Sequence, residues 1–220
     1  DRNEEALRTA REALAHAEDR NLKIQLGDLF RSLDQFAQAE GIFNEIIAED
    51  ADKNVEDWRL FYARGAAREQ LGRWPEAEAD LLRAKNISPN QPALLNYLGY
   101  SWIDRGIRLD EGFELIQRAI ALRPDAGFII DSYGWAFYKR GNYSEAVRQL
   151  ERAVELEPSD PTLNDHLGDA YWRVGRKLEA GFQWNRTIRL DPDADNVPHL
   201  RLKIENGLDR ANALKTAKQN

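Results

Sequence analysis

One interval constrains this chain more than any other feature: a pattern of 34 residues that runs from Gly127 to Asp160 and is then written again. Tyr133, Gly134 and Phe137 fall on one face of a first helix, Gly141 and Asn142 make a turn, and Ala146, Leu150 and Ala153 line a second helix that Pro158 ends. Leu167, Gly168, Tyr171, Gly175, Ala180, Trp184 and Pro192 repeat the pattern at, or within one residue of, the same offset. Small residues are part of the message. Gly134 and Ala153 mark places where a neighbouring helix comes too close for a bulky side chain. A period of this length predicts stacked helix pairs, each buried against its neighbours instead of around one central core.

The period divides the whole chain. Residues 1–19 read as the trailing half of a repeat, with Ala6, Ala10 and Ala13 as its small contacts in a helix over Glu5–Ala17. Residues 20–57 form a first unit with a long polar join, which predicts an irregular step. Residues 58–91 form a second unit, 92–126 a third with one extra residue in its turn, 127–160 a fourth and 161–194 a fifth. Residues 195–220 are expected to give a capping helix near His199–Asn206, whose apolar side is Leu200, Ile204 and Leu208, and then a polar tail that frays.

Composition removes several function classes. No apolar run approaches the roughly 20 residues of a membrane-spanning helix. With 31 basic against 38 acidic residues, the net charge of −7 disfavours non-specific attraction to nucleic acid or anionic lipid. The absence of cysteine excludes disulfides, thiol catalysis and cysteine-ligated zinc. The chain has no methionine, and Asp1 opens directly into a helical pattern, so the natural start is expected upstream.

The runs LNYLGYSW (Leu95–Trp102), DSYGWAFYKRGNYSEAVRQLERAVELEP (Asp131–Pro158) and NDHLGDAYWRVGRKLEA (Asn164–Ala180) resemble the tetratricopeptide repeat family. That resemblance covers about 190 residues, most strongly in the last three units. It implies an all-α right-handed superhelix with a concave groove that binds peptides or proteins, and no catalysis. LGYSWIDRG, DSYGWAFYKRGNY and HLGDAYWRVGR are further similar to the carboxyl-terminal repeats of Gram-negative lipoproteins. Members of that group hold a periplasmic carboxyl-terminal processing protease and present cell-wall hydrolases to it. The narrower resemblance therefore implies an adaptor on the periplasmic side of a bacterial membrane, while the residues themselves choose no compartment and leave the cytoplasm open.

In this architecture the first helix of each pair lines the groove. The groove candidates are Tyr62, Asn96, Tyr100, Asp131, Trp135, Tyr138, Lys139, Asp165, Asp169, Trp172 and Arg173, an aromatic stripe edged with carboxylates. Its expected centre is Tyr100, Trp135, Tyr138 and Trp172, and replacing Trp135 and Tyr138 by alanine is expected to weaken partner binding without unfolding the array. Asp131, Asp165 and Asp169 favour a partner segment carrying Lys or Arg in a salt-sensitive contact, with Lys139 and Arg173 as their expected partners in the free protein. Some family members clamp a terminal carboxylate with lysines and asparagines. Ile24, Asp28, Tyr62, Ala66 and Tyr100 stand at those places here, and only Asn96 fits, so that function is rejected.

His16, His166 and His199 lie in three different parts of the array; Asp165 with Asp169 beside His166 could hold a cation weakly, but the favoured reading is a pair of solvated carboxylates next to a packing histidine. Ser101, Ser132 and Ser144 have no recognisable base, and no glycine-rich phosphate loop is present. The expectation is a non-enzyme with no cofactor and no metal, whose partner is another protein or peptide segment, a protease or its substrate among them, and not nucleic acid. The alternative is self-association into a homo-oligomer.

Overall fold

A computed structural model describes residues 2–16, 19–53 and 55–219 of the chain. Ala17 and Glu18 of the expected half-repeat, Asn54 of the polar join, and the terminal Asp1 and Asn220 lie outside the described residues. Thirteen α-helices and no strand occur among those described: α1 Arg2–Ala15, α2 Arg20–Ser32, α3 Phe36–Asp52, α4 Trp58–Gln70, α5 Trp74–Ile87, α6 Pro92–Asp104, α7 Leu109–Leu122, α8 Gly127–Lys139, α9 Tyr143–Leu156, α10 Pro161–Arg173, α11 Lys177–Leu190, α12 Val197–Asn206 and α13 Leu208–Gln219. Among the described residues no helix is long and apolar enough to cross a membrane. The chain forms two compact units, residues 1–94 and 95–220, which divide in the first turn of α6.

In the N-terminal unit the pairs α2/α3 and α4/α5 pack with α1. Ala10 of α1 is buried with Leu26, Phe30, Ala39, Phe43 and Ile46. Asp19 caps α2 by accepting from the Leu22 N–H at 2.8 Å, and Asp57 caps α4 by accepting from the Arg59 N–H at 3.1 Å. The long join is partly helix: α3 runs for 17 residues where α5 has 14. Its end is tied down by Arg20, which donates to Asp50 at 2.7 Å and to Asp57 at 3.4 Å.

The C-terminal unit has an elongated core. Its buried side chains form a ribbon from Ile130 of α8 through Leu150, Leu167 and Trp184 to Leu200 and Leu208. The interior glycines are demanded by packing. A Cβ on Gly134 would lie 2.7 Å from Leu150, and one on Gly168 would lie 2.6 Å from the Trp184 ring. Gly141 turns the fourth pair with φ +79, and the Asn142 and Gly141 N–H groups close the turn onto the Phe137 and Tyr138 carbonyls, both at 2.9 Å. The extra residue of the third unit is absorbed by a second left-handed position, Arg108 with φ 45 after Gly106 with φ 70.

The end of the chain departs from expectation. A second helix, α13, occupies the stretch read as a polar tail. Leu208 and Ala211 are fully buried, and Gly207, at φ +81, turns α12 into α13. Two apolar residues on one face were enough to hold a helix whose other positions are polar. The last two helices thus make a further pair in place of a single cap.

Candidate binding face

The first helices α6, α8, α10 and α12 supply the face, and the repeat period sets its register. A residue on one first helix meets the residue 31 to 38 places later on the next, as the Trp135–Asp104 and Lys203–Asp165 contacts do. The central feature is a stack of rings. Trp135 lies flat between Tyr138, centroids 4.5 Å apart and planes 5° apart, and His166, centroids 4.0 Å and 13° apart. Tyr100, from α6, lies 6.5 Å from the same imidazole. Tyr100 and Tyr138 are half-buried, and Trp135 is 9% exposed.

His166 is fixed by Asp131, whose carboxylate oxygens lie 2.9 and 3.0 Å from Nδ1. Burial works against its charged form, but Asp131, with Asp165 and Asp169 nearby, holds it above the usual histidine range. The rim is charged. The Trp135 indole donates to Asp104 at 3.3 Å, and Lys139 Nζ donates to the Asp104 carbonyl at 2.9 Å. Arg173 donates to the Tyr138 hydroxyl at 3.1 Å and to Asp209 at 2.5 Å.

The acidic pair is used internally. Lys203 of α12, only 4% exposed, places Nζ 2.7 Å from Asp165 and 2.8 Å from Asp169, and the Trp184 indole donates to Asp169 at 2.9 Å. Burial, reinforced by the second carboxylate of Asp165, pushes the Asp169 carboxyl up to about 6. Burial opposes the Lys203 charge as well, and the two acids still hold Lys203 above its ordinary value. Two carboxylates share one cation, so the pair takes up a proton readily while the lysine keeps its own.

These contacts correct three expectations. Asp165 and Asp169 are paired with Lys203 and are not a solvated pair awaiting a basic partner segment. Lys139 and Arg173 are paired with Asp104 and Asp209, not with the groove carboxylates. Trp135 is a packed residue, so its replacement by alanine is no longer a neutral way to probe binding.

The remaining candidates are scattered. Trp172 stands apart from the stack, 5.7 Å from Trp184, with its indole donating to Asp209 at 3.3 Å and Gly207 close against its ring. Asn96 is 7% exposed, one turn from Tyr100 on the same helix face, and its side-chain oxygen is buried without a hydrogen-bond partner. Tyr62 belongs to the N-terminal unit, 6.3 Å from Trp58, and is not part of the stack. Sequence reasoning missed His166, Lys203 and Asp209 as members of the face. The available signal was the period itself, since each partner lies about one repeat away. No group of three or more His, Cys, Asp or Glu that could hold a metal ion occurs among the described residues.

Two family models match the chain. One, described as tetratricopeptide repeat, matches residues 24–92, and the other, described as TPR repeat, matches residues 134–175. The chain belongs to the tetratricopeptide repeat family. Both models describe repeats, and neither is that of a catalytic family. This repeat chain is 36% identical over 106 residues to the TPR repeat-containing protein PA4667 of Pseudomonas aeruginosa, a match that takes in 48% of the chain and spans 18% of that protein's length. Among solved structures it is similar in fold to PilW, a type IV pilus biogenesis factor, with TM-score 0.72 and 19% identity over 90% of this chain and 89% of that one. A thermophilic TPR protein of Thermus thermophilus gives TM-score 0.70 and 18% identity, covering 86% and 98%. Tetratricopeptide repeat proteins bind other proteins or peptides, and the fold is that of a protein interaction scaffold.

Proposed function

We propose that the face built on Tyr100, Trp135, Tyr138 and His166 receives an extended or helical segment of another protein. The observation that carries this reading is the flat seating of Trp135 between Tyr138 and His166. It holds the half-exposed Tyr138 ring in place, so that ring loses little side-chain freedom when a segment lies on it. Tyr100 and Tyr138 offer half-exposed rings with polar tips, the chemistry enriched at binding hot spots. Because Asp165 and Asp169 already hold Lys203, the recognition is aromatic more than acidic, and affinity should respond only weakly to salt.

The test is the double substitution Tyr100→Ala and Tyr138→Ala, which leaves Trp135 in place. Affinity for a partner captured from a bacterial lysate should fall by about tenfold or more while the helical content is kept. Equal affinity on the folded variant removes the reading.

A narrower reading names the partner as a periplasmic carboxyl-terminal processing protease, the chain being part of a lipoprotein adaptor. Support comes from the LGYSWIDRG, DSYGWAFYKRGNY and HLGDAYWRVGR runs, and the Pseudomonas aeruginosa relative is consistent with a bacterial setting. Faster cleavage of a cell-wall hydrolase by the protease when this chain is added is the expected result, and an unchanged rate ends that reading. Self-association is the competing role. Light scattering separates the two, because an architectural array dimerises with its groove bare.

A further inference from the structure

Exposed apolar side chains are unevenly spread over the molecule. Leu178 is 81% and Phe182 71% exposed, whereas every other exposed large apolar residue lies at 47% or below. One turn apart on α11, they form a single ridge that Asn185 and Arg189 continue. Gly181 lies beside the ridge, and a Cβ there would meet nothing within 4 Å. Unlike Gly134 and Gly168, it is not required by packing within this chain, although a glycine weakens a helix interior. Along the same flank, Asn185, Ile188, Arg201, Ile204 and Glu205 line a recess of about 300 Å³ between α11 and α12.

The geometry points to a second docking surface here, one that takes an amphipathic helix of a partner protein with a leucine- or phenylalanine-rich face and acidic edges. Leu178 and Phe182 supply the apolar contact, and Gly181, with open space before its Cα, lets a helix settle closely. The charges select its edges. Arg189 and Arg201 are exposed and make no ion pair among the described residues, Lys177 holds its ammonium 4.8 Å from the Trp172 ring, and of the nearby acids Glu179 is paired with Arg176 at 2.7 Å, which leaves Glu205 as the acid lining the recess. Asp191 and Asp195 line a different recess with Pro161 and Asp165.

Other occupants fit less well. Two copies packed antiparallel on this ridge would set the charged Arg189 of one against the apolar Leu178 of the other, and burying a charge against an apolar side chain is costly. An anionic membrane is opposed by the net charge of −7. An extended strand would need a sheet edge, and no strand occurs among the described residues.

The experiment uses the whole chain and a fluorescent helical peptide of about 18 residues, with leucines at the i, i+3, i+4 and i+7 positions and flanking glutamates, beside a twin carrying lysines. The glutamate peptide should bind at least about tenfold tighter than its twin. Leu178→Ser with Phe182→Ser should cost at least about tenfold in affinity and leave the melting curve unchanged, both side chains being exposed. Arg189→Glu with Arg201→Glu should invert the preference between peptides. Tyr100→Ala with Tyr138→Ala should have no effect, which separates this surface from the aromatic face. Equal binding of both peptides, or unchanged binding by the serine variant, overturns the proposal. So does a sedimenting dimer, or co-sedimentation with phosphatidylglycerol vesicles, that the serine variant abolishes, since either gives the ridge a different occupant.

Discussion

In the N-terminal unit a buried network of arginines and carboxylates links α3, α4 and α5, whereas in the C-terminal unit a stack of rings lies between α8 and α10, with ion pairs such as Lys203–Asp169 beside it. Arg64 grips Asp80 through two nitrogens, at 2.7 and 2.8 Å. Arg68 joins Asp80 at 2.8 Å to Glu40 at 2.9 Å, and Arg73 adds a second cation to Glu40. Asp80 and Glu40 are buried, so this network satisfies its charges internally. The stack of Tyr138, Trp135 and His166 is held by area and dispersion, which are not used up by one partner. A guanidinium with its carboxylates in place has little left for a ligand, while the half-exposed Tyr100 and Tyr138 at the edge of the stack still present ring surface. That difference favours the C-terminal unit for the proposed binding face.

The contrast can be broken most strongly at Trp135. Its replacement by alanine should cost about 3–5 kcal/mol, because a buried indole leaves a cavity between Tyr138 and His166. Hydrogen exchange should show the loss in α8 and α10, and a cost under about 1 kcal/mol would mean that the stack is decoration. Asp80→Ala should cost somewhat less, about 3 kcal/mol, by leaving Arg64 and Arg68 half-buried without their shared carboxylate. The same measurement should find that loss in α4 and α5, and protection unchanged there would deny the network its role.

Acidity sharpens the comparison with a smaller effect. His166 and Asp169 both have folded pKa values above their unfolded ones, so the stability they supply is complete in acid and is lost as pH rises through the folded values, about 6 for Asp169. Glu40 and Asp57 go the other way. Burial opposes their ionisation, but their arginine partners outweigh it and depress both, so their contribution is present near neutrality and lost as pH falls. His199, depressed by burial and by Lys203, partly offsets the trend in the C-terminal unit. Between about pH 5 and 8 the C-terminal helices should lose about 1–2 kcal/mol of protection while the N-terminal helices hold theirs. His166→Gln combined with Asp169→Asn should flatten that slope, and an unchanged slope would assign it to other groups.

Much of the architecture was legible because its cause is local and periodic. Gly134 and Gly168 announce close helix approach one period apart, and the structure puts Leu150 and Trp184 against them. Gly141 and Gly175 announce turns, and both take positive φ. The binding face was legible as a set of positions but not as a set of partners. Asp165, Asp169, Lys139 and Arg173 are charged residues on a predicted concave side, and nothing local says whether such a group waits for a ligand or meets the next repeat.

Sequence by itself determined the kind of molecule: recurring small residues, turn glycines and terminal prolines permit stacked helix pairs and little else. Tertiary structure alone decided which surface residues are free. Lys203 sits 34 places beyond Asp169 and seals it, Asp104 takes Lys139, and His166 slides beneath Trp135. Helix formation depends on neighbours within four residues, whereas satisfaction of a buried charge or ring depends on what the next turn of the solenoid brings alongside. That second dependence is written only in three dimensions.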